Sequence, residues 1–307
     1  MLNSIEVEIG EKRYSGDLAP LTFISGTGKS TIIYIIYKIL KNINSSIPKL
    51  FDKYKIILRV EDKKYSLEKR GNFYRQVLEG DGVRVVFEAR PPDINRIIEP
   101  FELSVRDAGV VMPFVEVAEH VSMLADEEVE RVNKAIAEFR KAFAQRALLL
   151  GPYLRPRSRY DTSRGRAELR PDGSNIVGVL SSLALDDPAA YDRIRASFRK
   201  KGITIALGLL GKNALGAAAY AEGLRMPLSR LPCSLKSALV IATAISLRPD
   251  IILIDNFDYC FTEAAAEILS PYIAEYVAKG QLIAEIHRAD IADYFKTQYK
   301  SIISASL

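Results

Sequence analysis

Tryptophan is absent from the 307 residues, and cysteine occurs twice, at Cys233 and Cys260. Two cysteines exclude a disulfide framework and fit a reducing cytosol. Long apolar runs are also missing. Stretches such as Ser237–Leu247 stop well short of the roughly 20 residues that a membrane span needs, so no membrane association is expected. The opening Met-Leu-Asn-Ser-Ile-Glu-Val-Glu lacks the basic start and apolar core of a secretory signal, and the expected location is the cytoplasm. No internal repeat or low-complexity tract is visible. The charge balance is modest, at +5, which permits a nucleic-acid partner without requiring one. With 48% hydrophobic and 26% charged residues, disorder is excluded and a well-buried core is within reach.

Hydrophobic periodicity then orders the chain. Residues 2–9 alternate Ile5, Val7 and Ile9 with Glu6 and Glu8, as a half-exposed edge strand would. A second short strand spans 19–25, and an Ile/Tyr-rich helix buried on most sides runs from Lys29 to about Asn42. Residues 54–90 read as β-hairpins with Gly71 and Gly80-Asp81-Gly82 as turns, broken by Pro91-Pro92. A helical segment is expected over roughly 115–149. In it Val129, Val132, Ile136, Phe139 and Phe143 form one apolar seam behind an Asp126 cap, which suits a helix face on the core or a short coiled-coil arm. A Gly/Pro/Arg-rich loop covers 151–174, and a helix follows Asp186-Asp187-Pro188. The last third alternates helix 234–247, strand Ile251–Ile254, helix 262–278, strand Gln281–Ile286 and a final helix 289–295.

Three pieces carry chemistry. Ser25-Gly26-Thr27-Gly28-Lys29-Ser30-Thr31 joins an apolar strand to a helix. Small residues there let backbone N–H groups approach anionic oxygens, and the following helix turns its positive end toward them. Lys29 would reach the β- and γ-phosphates of ATP, and the Ser30 hydroxyl would ligate Mg²⁺. The full phosphate-loop pattern has a glycine where this chain has Phe23. Second, Ile251–Ile254 is an apolar strand that delivers Asp255 at its carboxyl end, where open parallel sheets bind ligands, so Asp255 would hold the same metal. Third, the apolar strand 282–286 ends at His287, which could bond a γ-phosphate or an attacking water. His120 has no such context.

With these pieces in this order, the chain resembles the ABC-type ATPase heads of the RecF/SMC class, including small archaeal ATPases. Leu231-Pro232-Cys233-Ser234-Leu235-Lys236, its Ala/Leu-rich helix and Arg248-Pro249-Asp250 look like that class's signature helix, and Arg170-Pro171-Asp172-Gly173-Ser174-Asn175 is similar to a segment preceding it. The resemblance covers roughly 1–45 and 150–300. It implies an α/β P-loop fold: a mixed sheet with flanking helices, N-terminal antiparallel hairpins and an inserted helical lobe. The expected division is 1–98 and 231–307 as the two parts of the head, with 99–230 as the lobe. It further implies that Ser234 and Lys236 would face the nucleotide of a homodimeric or other partner head.

Departures from the pattern shape the expected activity. Pro232 and Ser234 stand where the family carries Ser and Gly, and Asn256 stands where the general-base Glu would be. An amide positions water but cannot take its proton; Asp258 could substitute. Slow hydrolysis or an ATP-binding switch follows. The family's metal-sensing glutamine has two counterparts here, Gln76 and Gln145. Arg155, Arg157, Arg159, Arg164, Arg166 and Arg170 crowd one loop with Tyr153 and Tyr160, a set suited to DNA backbone contact or to a solvated loop. By analogy the process would be DNA repair or chromosome organisation, through nucleotide-dependent dimerisation or partner binding. Two other readings stay open: a non-hydrolysing ATP-dependent interaction module, and a P-loop phosphotransferase with the 155–170 loop as its lid.

Overall fold

A computed structural model of the chain describes residues 1–42, 51–71, 73–80, 83–89, 102–105, 110–111, 126–164, 168–295 and 300–306. His120, Arg166 and Pro91-Pro92 lie outside them. The chain divides into two compact units: Met1–Ala19, Gly26–Arg146 and Ile303–Leu307 form the first, and Pro20–Ser25 with Ala147–Ile302 form the second.

The first unit is built on an eight-stranded sheet. Its strands are β1 (Ser4–Ile9) and β2 (Lys12–Asp17), then β4 (Lys53–Val60), β5 (Lys63–Arg70), β6 (Phe73–Gly80), β7 (Val83–Ala89), β8 (Glu102–Val105) and β9 (Val110–Val111). They lie in the order β2-β1-β4-β5-β6-β7-β8-β9, each pair antiparallel. Strand β1 is therefore not the edge that its alternation suggested. It sits between β2 and β4, and the alternation reports a sheet with one wet face. Ile5 and Val7 are fully buried, while Glu6 pairs across the outer face with Arg59 at 2.7 Å and Arg13 at 3.5 Å. The seam helix α2 (Asp126–Phe143) packs against β6 and β7, with Phe143 against Tyr65 at a ring distance of 6.0 Å. It is thus a core-facing helix, with Ala135, Ile136, Phe139 and Phe143 buried. The phosphate-loop helix α1 (Lys29–Asn42) belongs to the same unit and buries Ile32, Ile33, Ile35, Ile36, Ile39 and Leu40.

Helix α2 ends at Phe143, short of the expected 149. Ala147–Leu150 forms strand β10, for a four-residue apolar run carries no period that separates strand from helix. β10 is an outer strand of the five-stranded sheet β10-β15-β16-β3-β17, made with β3 (Leu21–Thr27), β15 (Ile251–Ile254), β16 (Gln281–Glu285) and β17 (Lys300–Ser306). The pairs β10–β15, β15–β16 and β16–β3 are parallel. Strands β15 and β16 are buried along their whole length. Each fully buried Leu or Ile contributes about 1.5–3 kcal/mol.

The rest of the second unit is α3 (Ile176–Asp186), α4 (Pro188–Arg199), α5 (Cys233–Ser246) and α6 (Glu263–Tyr276), with a small antiparallel sheet of β11 (Arg159–Asp161), β12 (Ile203–Gly211), β13 (Ala214–Ala221) and β14 (Leu224–Pro227). β13 pairs with β11, β12 and β14, and the register of β12 slips between Leu209 and Gly211. The segment 99–230 is thus not wholly helical. β13 is mostly Ala and Gly and gives little strand signal, whereas β12 opens on Ile-Thr-Ile, a local strand signal that the expected lobe passed over. Asp187 caps α4 by accepting from the Ala190 N–H at 3.1 Å, and Pro188 opens that helix. The expected last helix is a 3₁₀ turn, Ala289–Tyr294, and β17 follows it.

Candidate nucleotide site

β3 leads the chain from the second unit into the first. Phe23, which replaces the loop's first glycine, is fully buried in register with Ala284 and packs on Phe257 and Phe295 at 5.8 and 5.9 Å. The strand therefore runs on to Thr27, and Gly28 alone separates it from α1. Gly26 and Gly28 have φ of 94° and 79°, a region that excludes most L side chains. The first α1 turn closes with the Ile32 N–H donating to the Gly28 carbonyl at 3.1 Å. Opening N–H groups of a helix point out of its amino end, so the turn through Lys29, Ser30 and Thr31 has the geometry of an anion cradle.

The second unit arranges its polar groups along the carboxyl ends of β10, β15 and β16. Asp255 follows β15; its N–H donates to the Leu150 carbonyl at 2.8 Å. Its Oδ1 is buried and has no hydrogen-bond partner among the described residues. A buried carboxylate oxygen left in that state costs free energy, and a cation would relieve it. Gly151 (φ 111°) presses on Asp255: a Cβ there would stand 2.3 Å from the Asp255 carbonyl oxygen and 2.9 Å from its Cβ. The 170–175 segment braces this contact. Gly151 N–H donates to Pro171 O, Arg155 N–H to Asp172 O, and Asn175 closes the loop by accepting from the Arg170 N–H. Asp255 with its orphaned oxygen and the glycine turn at the start of α1 thus fit, each by itself, a metal and a phosphate chain.

Asn256 sits at φ 57°, a left-handed conformation that asparagine tolerates better than glutamate. The chain then turns, with Phe257 N–H bonded to Glu285 O at 3.0 Å. Asp258 is buried. Its Oδ2 accepts from the His287 and Arg288 N–H groups at 2.6 and 2.7 Å, and its Oδ1 lies 3.2 Å from His287 Nδ1. This carboxylate is committed to holding the His287 loop. The imidazole is half exposed, and its Nε2 lies 3.6 Å from Oε1 of buried Glu285. Glu285 and Gly151 are the members that sequence reasoning passed over. A glutamate inside an apolar strand was the available signal for the first; nothing local marks the second.

The remaining expected residues fall elsewhere. Ser234 is buried, and Lys236 Nζ bonds back to the Ser229 carbonyl at 3.3 Å. Gln76 lies in β6, donating to the Tyr65 hydroxyl, and Gln145 bonds Ala142 O just after α2. Arg155, Arg157, Arg159 and Arg170 are exposed, Arg155 over the Tyr153 ring at 5.8 Å. Arg164 falls in a short 3₁₀ turn. Asp161 and Asp172 accept from backbone N–H groups of Ser163 and Ser174. Among the described residues no helix is long and apolar enough to cross a membrane.

No family model matches the sequence, and no curated protein does. Solved structures do. An Smc head bound to the C-winged-helix domain of ScpA aligns over 100% of this chain and 94% of its own, at 14% identity and a TM-score of 0.53. The chain has the fold of an SMC-type ATPase head. Two further SMC heads align less closely. One, from Pyrococcus furiosus with an extended coiled coil and bound to the C-terminal domain of ScpA, covers 99% of this chain and 92% of its own at 13% identity and TM-score 0.46. The other, from Thermotoga maritima, covers 96% and 92% at 12% identity and TM-score 0.41. In the five-stranded sheet, β3 and β15 flank β16, and each runs parallel to it.

Proposed function

We propose that this head binds magnesium-ATP at the carboxyl edge of its five-stranded sheet, hydrolyses it slowly, and couples binding to pairing with a second copy or another partner. The orphaned Asp255 Oδ1, at the end of a fully buried parallel strand, is the observation that carries this reading. In it, Ser25 to Thr31 cradle the phosphates, Lys29 neutralises the β- and γ-oxygens, and Ser30 and Asp255 hold the metal. Bound Mg²⁺ supplies charge neutralisation at the transferred phosphoryl group. Asn256 orients water without accepting its proton, which keeps turnover slow. His287, held by Asp258 and beside Glu285, reports the γ-phosphate. Ser234 and Lys236 would act at the partner's nucleotide through a rearranged α5 end. Arg155, Arg157, Arg159, Arg164 and Arg166 would meet DNA phosphates. A RecF/SMC-like role in DNA repair or chromosome organisation in the cytoplasm follows by analogy of fold.

A second reading, an ATP-dependent interaction module without turnover, is favoured by the left-handed Asn256. Nucleotide binding and steady-state turnover, measured together, decide between them. The ATPase reading expects Lys29→Ala to weaken binding about 10- to 100-fold, as loss of charge-assisted bonds does, and to abolish turnover. Wild-type binding with background turnover selects the module. Wild-type protein that binds no ATP overturns both. Crosslinking with and without ATP tests pairing.

A further inference from the structure

Two tyrosines meet in the open beyond the ends of neighbouring strands. β10 and β15 run parallel, with Leu150 in register with Ile254, and the chain turns just beyond each. Tyr153 lies shortly after β10. Tyr259 stands in the turn after Asp255, its N–H donating to the Asn256 carbonyl at 3.1 Å. Their rings meet edge to face, with centroids 5.1 Å apart and planes at 74°. The Arg155 guanidinium lies over the Tyr153 ring, 5.8 Å from its centroid, and the Arg155 N–H is tied to Asp172 O. Each ring is thus held by a neighbour, yet Tyr153 stays 46% and Tyr259 47% exposed. Arg155, Arg157, Arg159 and Arg170 are exposed as well, and among the described residues none of the four is ion-paired.

Two plainer uses of the pair fit poorly. Rings that serve packing are buried, as Phe257 is between Phe23 and Phe261; these two are not. A neutral sugar also stacks on tyrosine, but it gains nothing from a row of guanidinium groups. A ligand that repeats a flat π-face and an anion along its length uses both.

We propose that Tyr153 and Tyr259 form a stacking platform for unpaired bases of a single-stranded nucleic acid, with Arg155 and the arginines beyond it tracking the flanking phosphates. Resting on the reading above in which this loop meets nucleic-acid phosphates, the platform adds a choice of strand form. A single strand offers the face of every base, whereas a duplex stacks those faces on one another. Rings already held by their neighbours lose little freedom when a base settles on them, which favours binding. Stacking accepts any base, since each has a π-face. The platform stands on the two turns around Asp255. Gly151 presses on that residue from one turn, and Tyr259 is tied to Asn256 in the other. A bound strand therefore lies on the turns that hold the proposed metal ligand.

The test measures fluorescence anisotropy of a labelled oligothymidylate of about 15 nucleotides with the full chain, beside the same strand annealed to its complement. The single strand should bind more tightly than the duplex. Tyr153→Ala or Tyr259→Ala should weaken single-strand binding about 5- to 100-fold, as loss of one stacked base does, change duplex binding far less, and keep the slope of log K against log salt. Tyr153→Phe, which keeps the π-face, should bind as wild type does. Arg157→Gln should instead weaken both forms and flatten the single-strand salt slope by about 0.7. Competition by unlabelled oligouridylate separates RNA from DNA as the source of the strand, and thermal midpoints check that each variant folds. Single strand and duplex bound equally, with both alanine variants like wild type, overturn the platform and leave the arginine reading. Tyrosine-dependent single-strand binding whose salt slope Arg157→Gln does not move overturns the arginine reading and leaves the platform. Wild-type protein that binds neither form overturns both.

Discussion

Strand β4 reads Lys-Tyr-Lys-Ile-Ile-Leu-Arg-Val, and its charged residues stay on the wet face of the eight-stranded sheet while Tyr54, Ile56 and Leu58 go to the core. Strand β15 reads Ile-Ile-Leu-Ile and is buried throughout, so its first polar side chain comes after its last residue, at Asp255. A sheet with one wet face spreads polar groups along its strands, where they form cross-strand pairs such as Glu6–Arg59. A sheet covered on both faces has polar positions left at its strand ends, and chemistry concentrates there. The first arrangement supports solubility and register; the second supports a site.

The contrast can be broken or sharpened by substitution. The largest effect is expected within β15: Ile252→Ala should cost about 2–5 kcal/mol by cavity formation, seen as a lowered midpoint in denaturant. A smaller loss at Ile252 than at Ile57, on the antiparallel sheet, would break the comparison. Next, Asp255→Asn should weaken magnesium-dependent ATP binding by about 10- to 100-fold, read by calorimetric titration, while leaving the thermal midpoint little changed. Gly151→Ala should cost roughly 1–3 kcal/mol through backbone strain, and calorimetric titration should show weaker magnesium binding as Asp255 is displaced. Asp258→Asn should cost about 1 kcal/mol, the difference between charged and neutral acceptors for the His287 and Arg288 N–H groups, with amide NMR shifts confined to those residues.

The smallest effect belongs to the wet face. Burial alone would raise the Glu6 carboxyl, but Arg59 and Arg13 outweigh it and hold the group below its ordinary range. A depressed carboxylate stabilises above its unfolded pKa, and that contribution is lost as pH falls through the folded value. Arg59→Met should therefore lose under about 1 kcal/mol at neutral pH, and its difference from wild type should shrink in acid.

Sequence makes strand ends legible and long-range meetings opaque. Ile251–Asp255 and the turn at Gly26 and Gly28 stand out because a buried strand and a tight glycine turn each have a local signature. β10 was hidden inside an apolar stretch that fits helix equally well, and β13 is too rich in Ala and Gly to signal pairing, though Ile-Thr-Ile at the start of β12 was a strand signal within reach. The His287–Asp258 bond and the pressure of Gly151 on Asp255 join residues far apart in the chain, and no local pattern encodes them. Phe23 shows the opposite case. It breaks the loop pattern because it serves the core, and the strand simply lengthens to accommodate it.

The slip in register at the end of β12 has a protective consequence. Ile-Thr-Ile-Ala-Leu-Gly-Leu-Leu-Gly carries no charge and no proline, lies at the margin of its sheet, and leaves Leu209 79% and Leu210 54% exposed. Such a border invites stray chains to zip onto it. The irregular step between Leu209 and Gly211 twists the ribbon there and spoils the template that a flat continuation would offer, so this small distortion guards against amyloid-like stacking where lysines usually stand sentinel.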